Sequence, residues 1–146
     1  MKYGSSEIAT CRCQRLRWDR GSPIRAASRR GRVRRALDLG ITLIDTANVY
    51  GRGAAETLMG EALQGVPRDR YVLATKPFFP MSETDKGLSR AQIHHQLGDS
   101  LNRLRTDYVD LYQCHGYDPD TPLEETMTAL TEVVRAGKVR WIGFSE

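Results

Sequence analysis

Four short apolar runs rich in β-branched residues, alternating with stretches of helix formers, constrain this chain more than any other feature. The runs are ITLIDTA (residues 41–47), YVLATK (71–76), YVDLYQCH (108–115) and VRWIGFS (139–145). Each is short enough for a strand and too apolar to face water, which predicts strands buried on both faces of a parallel sheet. Between them the spacing turns helical. Val33, Ala36 and Leu37 form a brief apolar face that ends at Gly40, and Ala54 to Leu63 places Ala55, Leu58, Met59 and Ala62 on one side. Ser89-Arg90-Ala91-Gln92 reads as a capping box ahead of a four-turn stripe of Ile93, Leu97, Leu101 and Leu104. Thr121-Pro122-Leu123-Glu124 predicts a second capped start, with Leu123, Met127, Leu130 and Val134 buried and Gly137 closing the helix. Strand and helix alternate, so the sheet is parallel and covered by helices. Periodicity alone allows either a doubly wound open sheet or a (β/α)8 barrel.

Polar residues at the strand ends favour the barrel. Asp45 follows ITLI, Lys76 follows YVLAT, His115 follows YVDLYQC and Ser145 follows VRWIGF, while Tyr50 lies in the loop after the first run. In a barrel these positions converge on the C-terminal mouth, where active sites of that architecture sit. Taken singly, each has an ordinary reading: Asp45 a loop cap, Lys76 an exposed lysine, Tyr50 a packed loop aromatic, His115 a satisfied buried imidazole. Together they make chemical sense. A phenol is too weak an acid for work near neutrality, and an adjacent ammonium stabilises its phenolate. Lys76 supplies that ammonium, Asp45 holds Lys76 as an ion pair, His115 donates a hydrogen bond to a substrate carbonyl, and Tyr50 is the proton donor.

The remaining candidates read as ordinary surface or packing groups. His94 and His95 fall off the apolar stripe of their helix and are expected in solvent. Cys114 points away from His115 if the pleat holds, so packing is expected rather than nucleophilic chemistry. Asp118, Asp120, Glu124 and Glu125 gather at a helix start, where negative charge suits the dipole, and no metal site is assigned. Gly51-Arg52-Gly53 is a lone GxG, and no GxGxxG follows any strand.

Charge is divided along the chain. Residues 1–40 carry eleven basic side chains, ten of them arginine, against three acidic ones, whereas residues 41–146 carry eleven basic and fifteen acidic. Residues 1–31 have no apolar period and are expected to be an irregular, disordered segment, either native or the product of a GC-rich frame read out of register. A basic arm for nucleic acid is the other reading, weakened by a single tryptophan, Trp18, and by the lack of any groove-reading or RNA-binding motif. Three cysteines, Cys11, Cys13 and Cys114, match neither a disulfide framework nor zinc-ligand spacing. With no secretory h-region and no apolar run of membrane-spanning length, the expected compartment is the cytoplasm.

The combination GITLIDTANVYGRGAAETLMGEAL, YVLATKP and LYQCHGYD resembles the aldo-keto reductases, in order and spacing, across residues 32–146. KPFFPM, GLSRAQI and PDTPLEET lean towards the branch containing the potassium channel β-subunits, although those subunits typically carry Asn where this chain has His115. The resemblance implies the N-terminal half of a (β/α)8 barrel over residues 32–146, with about four βα units. It implies NADPH bound without a Rossmann domain, Asp45, Ser145 and Glu146 in cofactor contact, and an aldehyde or ketone as substrate. The family's first strand is expected within residues 1–31 and is not recognisable there, and strands six to eight are expected beyond Glu146. Two functions follow. The chain is part of an NADPH-dependent aldo-keto reductase, with homo-oligomer formation by the full-length protein left open, or it is a catalytically inactive fragment acting at most as an interaction polypeptide.

Overall fold

A computed structural model gives the fold of residues 29–145. Four parallel strands, β1 (Leu43–Asp45), β2 (Val72–Thr75), β3 (Val109–Cys114) and β4 (Val139–Phe144), pair in sequence order β1-β2-β3-β4. They alternate with α1 (Arg29–Asp38), α2 (Ala54–Leu63), α3 (Arg90–Leu104) and α4 (Leu123–Arg135). Strand order following chain order, with a helix between successive strands, is the winding of a barrel and not of a doubly wound sheet, whose order reverses at a switch point. The fold is a partial (β/α)8 barrel.

All four helices lie on one face of the sheet, and the core fills the space between. Leu73, Tyr112 and Cys114 point into it from the strands, meeting Ile93, Leu97, Leu101 and Leu104 of α3 and Ala129, Leu130 and Val133 of α4. Helix α3 follows its sequence pattern closely. Ser89 caps it by accepting from the Gln92 amide at 3.4 Å, and all four stripe residues are buried. The Gln92 side chain does not close the expected capping box and instead donates to the Thr84 carbonyl at 2.8 Å.

Three expectations are corrected. The β1 run is not buried on both faces. Register places Leu43, Val72, Leu111 and Trp141 on the face opposite the helices, where Leu43 is 57%, Val72 43% and Trp141 71% exposed. This is the barrel's inner face. Helix α4 is rotated from its predicted stripe: Thr126, Ala129, Leu130 and Val133 are buried, whereas Leu123 is exposed. The reason is polar. Thr126 Oγ1 donates to the Leu88 carbonyl at 3.1 Å, and Thr121, the predicted cap, donates to Asp118 instead, leaving Pro122 to precede the helix without a side-chain cap. Helix α1 begins at Arg29, four residues before the first apolar position of its predicted face at Val33, with Leu37 buried and Val33 half-buried against the core. The other expectations for residues 1–28, including Cys11, Cys13 and Trp18, lie outside the described residues, as does Glu146.

At the N-terminal ends of the strands Asp110 is a polar hub. Its carboxylate accepts from the Leu73 amide at 2.8 Å, from Arg140 Nη1 at 3.1 Å and from Arg68, whose guanidinium also stacks over Tyr108 at 4.2 Å. That end of a barrel carries stability and not chemistry. Among the described residues no helix is long and apolar enough to cross a membrane.

Candidate active site

The polar strand ends meet at the C-terminal edge of the sheet. Pleating puts Asp45 on the inner face at the end of β1, half-exposed, and Lys76 one residue beyond β2, 5% exposed. Lys76 Nζ donates to Asp45 Oδ1 at 2.6 Å and to the Thr46 carbonyl at 3.0 Å. The same ammonium lies over the Tyr50 ring, 5.4 Å from its centroid. Tyr50 in turn meets the His115 ring edge-on at 5.6 Å, and Phe79 also meets the His115 ring edge-on at 4.8 Å. Asp45, Tyr50, Lys76 and His115 thus form one contiguous cluster, with Tyr50 41% exposed and open to an incoming molecule. Ser145, just past β4, donates its amide to the Cys114 carbonyl at 2.9 Å and so stands beside the His115 strand.

Burial pushes the His115 imidazole below its ordinary 6.5, the Lys76 charge adds to that fall, and Asp45 opposes it. His115 is therefore neutral near pH 7 and able to donate one N–H. An NMR pH titration is expected to place its midpoint below 6.5. Because the folded pKa is depressed, the unfolded chain takes up the proton first. The stability contributed by neutral His115 is complete above pH 6.5 and declines as pH falls from there towards the folded pKa. A midpoint above 6.5 would contradict this environment.

Several residues of the site carry no sequence motif. Gln96 is 1% exposed on α3, on the apolar side of the helix between Ile93 and Ser100. Its Oε1 accepts from Asn48 Nδ2 at 2.8 Å and from the Phe78 amide at 3.0 Å, and its Nε2 donates to the Gly87 carbonyl at 3.0 Å. One carboxamide thereby ties the Tyr50 loop to the loop after Lys76. Phe78, held at φ +121°, adopts a backbone few non-glycine residues tolerate, and the reversal aims Phe79 at His115. The Phe78 ring packs against Gly116, where an added Cβ would lie 2.7 Å from it. A polar residue interrupting an apolar stripe was the available signal for Gln96. Among the described residues His115 Nδ1, Thr46 Oγ1 and Asn48 Oδ1 are buried polar atoms without a partner.

Tyr50 leads into a turn of three left-handed residues, Gly51 at φ +60°, Arg52 at +51° and Gly53 at +85°, which delivers the chain into α2. Gly53 suits its place because the Arg103 side chain passes where a Cβ would be, 2.7 Å away. Arg52 has no such freedom, and the left-handed conformation costs a side-chain-bearing residue about 1–2 kcal/mol. Arg52→Gly is expected to raise unfolding stability by about 0.5–1 kcal/mol, the penalty less glycine's larger unfolded-state entropy. Urea denaturation would show it, and a loss of stability would contradict the strain.

The side groups set aside in the sequence behave variously. Cys114 is 1% exposed with its thiol pushed up to about 11 by burial, which removes the thiolate needed for nucleophilic work. His94 is exposed and sits 2.8 Å from Glu132, and His95 is exposed near Asp99. Asp85, His95 and Asp99 place potential ligand atoms within 4.8 Å of one another, although Asp99 also faces Arg103 at 3.9 Å. Burial raises the affinity of Asp118 for a proton, but hydrogen bonds from the Leu88 amide, Thr121 and the Asp120 amide outweigh it, so the carboxyl stays below its ordinary range. It fastens the loop before α3.

A chain whose half-barrel gathers Asp, Tyr, Lys and His at its strand ends can be compared directly with known proteins. The protein-family model described as the aldo/keto reductase family matches residues 15–146, and the chain belongs to that family. Aldo-keto reductase YhdN of Bacillus subtilis is 46% identical over 116 residues, which is 77% of this chain and 35% of that protein. A putative voltage-gated potassium channel subunit beta of Schizosaccharomyces pombe is 41% identical over 119 residues, covering 78% and 35%. Among solved structures, an aldo-keto reductase from Klebsiella pneumoniae in complex with NADPH superimposes with a TM-score of 0.72 at 38% identity, covering 81% of this chain and 39% of that one. The chain thus spans little more than a third of the length of these relatives.

Proposed function

We propose that this chain carries the proton-transfer half of an NADPH-dependent aldehyde or ketone reductase. The observation that carries the reading is the contiguous contact of Asp45, Lys76, Tyr50 and His115 at one edge of the sheet. The residues fit a nicotinamide carboxamide: Thr46 Oγ1 and Asn48 Oδ1 are buried donors and acceptors without partners beside the Lys76 ion pair, and Ser145 adds a hydroxyl at the neighbouring strand end. Asp45 and Ser145 would hold the cofactor, with Glu146 next to Ser145 in sequence. Bound there, NADPH supplies the hydride that goes to the carbonyl carbon.

The chain's own groups handle the oxygen. Neutral His115 donates a hydrogen bond to the carbonyl oxygen and orients it. As negative charge gathers on that oxygen, the Tyr50 hydroxyl gives up its proton, forming the O–H of the alcohol. Lys76, over the Tyr50 ring, offsets the phenolate charge that remains, and Asp45 fixes Lys76 against rotation. Tyr50 is then reprotonated from solvent, to which it is open. The likeness to a relative solved with NADPH supports the choice of cofactor.

The bare inner face, with Leu43, Val72 and Trp141 exposed, favours a second reading in which these residues alone are catalytically inactive and at most an interaction polypeptide. Titration of NADPH fluorescence separates the two. Saturable binding, weakened in Ser145→Ala, together with turnover of an aromatic aldehyde supports the reductase, and a linear response with no saturation supports the second reading.

A further inference from the structure

We infer that the reductase site accepts aldehydes carrying a carboxylate, held by Arg52 and Lys86. The inference rests on the reductase reading and names its substrate class. A cavity of about 370 Å³ is lined by Arg52, Pro80, Met81, Ser82, Glu83 and Lys86. It adjoins the reacting groups along the chain on two sides: Arg52 is two residues past Tyr50, and Pro80 follows Phe79, whose ring stands 4.8 Å from His115.

Three observations converge on an anion. First, most cations of the described residues are paired: Arg30 and Arg105 with Glu61, Arg68 and Arg140 with Asp110, Arg90 with Glu132, Arg103 with Glu56. The side chains of Arg52 and Lys86, like those of Arg32, Arg35, Arg135 and Lys138, have no ion pair or hydrogen bond among the described residues, and what sets Arg52 and Lys86 apart is that they line one cavity together. Second, Glu83 lines the same cavity without pairing to either, so the lining keeps a net positive charge. Third, Arg52 occupies a strained left-handed position between two glycines, where a third glycine would be free of strain. Strain retained by a charged side chain at the mouth of a site points to a binding role. The guanidinium matches a carboxylate as a fork, and Lys86 adds a point charge. A flat body between aldehyde and carboxylate would lie along Phe79, itself 40% exposed.

The test compares 4-carboxybenzaldehyde with benzaldehyde on the full chain. In the wild type kcat/KM is expected to favour the carboxylated aldehyde by about tenfold at low salt, the worth of two exposed charge contacts. Arg52→Gly and Lys86→Gln should each reduce that preference severalfold, and added salt should do the same. Benzoate, followed by NMR at the Arg52 Nε–H, gives a readout independent of turnover. Salt-sensitive shifts at that N–H that weaken in Lys86→Gln support the anion site even if neither aldehyde turns over, an outcome that would count against the reductase reading alone. Absence of benzoate shifts, or an unchanged substrate preference in both variants of an active protein, would overturn the proposal.

Discussion

Arg103→Met is expected to destabilise the protein by about 3–5 kcal/mol, the cost of stripping one partner from a buried ion pair. Glu56, on α2, is fully buried, and its carboxylate has two partners: Thr75 Oγ1 at 2.5 Å and Arg103 Nε at 2.7 Å. Methionine keeps the apolar stem that passes over Gly53 but removes the guanidinium. The carboxylate is then left in the core with one hydroxyl. Adding Glu56→Gln removes the stranded charge, so the double variant should be more stable than Arg103→Met alone, and the cycle isolates the pair. Urea unfolding followed by circular dichroism measures both. A loss below about 1 kcal/mol would mean that the pair behaves like a surface contact. The pair also bears on the site, since Thr75 is the residue before Lys76 and its anchoring fixes where that lysine leaves β2.

Tyr50→Phe is expected to lower carbonyl reduction by about 10²–10⁴-fold while leaving NADPH affinity within about twofold. The hydroxyl is the proton source in the proposed chemistry, and Tyr50 is the cluster's exposed phenol, so its removal should act on kcat. The ring contacts to His115 and Lys76 survive in phenylalanine, which keeps the cluster in shape. Steady-state rates with 4-nitrobenzaldehyde read the effect. A variant that keeps wild-type kcat would move the proton donor elsewhere.

Much of this architecture was legible in the residues, for reasons that differ from element to element. Helix α3 could be read because its 3.6-residue period and Ser89 cap agree with its packing. The alternation of strands and helices, and the polar group at each strand end, pointed to a barrel mouth, and the cluster of Asp45, Tyr50, Lys76 and His115 lies where that reading expected. Exposure of Leu43, Val72 and Trp141 was not legible, since an apolar strand reads alike whether one or both of its faces are covered. The rotation of α4 depends on Thr126 reaching the Leu88 carbonyl, 38 positions away, and local periodicity cannot register such a bond. Gln96 reads as a blemish in an apolar stripe until Asn48 and Phe78 are placed around it. The left-handed backbone of Phe78 and Arg52 leaves no trace in residue type, because glycine is the usual marker and neither position has it.

Deuterium transfer tests the central claim most directly. NADPH deuterated at both C4 positions is mixed with 4-nitrobenzaldehyde and the protein, and the alcohol is examined by mass spectrometry. The account predicts one deuterium on the carbinol carbon with the wild-type chain and about 10²-fold or more less product with Tyr50→Phe. Undeuterated alcohol, or equal yields from the two proteins, would contradict a reductase centre built from Asp45, Tyr50, Lys76 and His115.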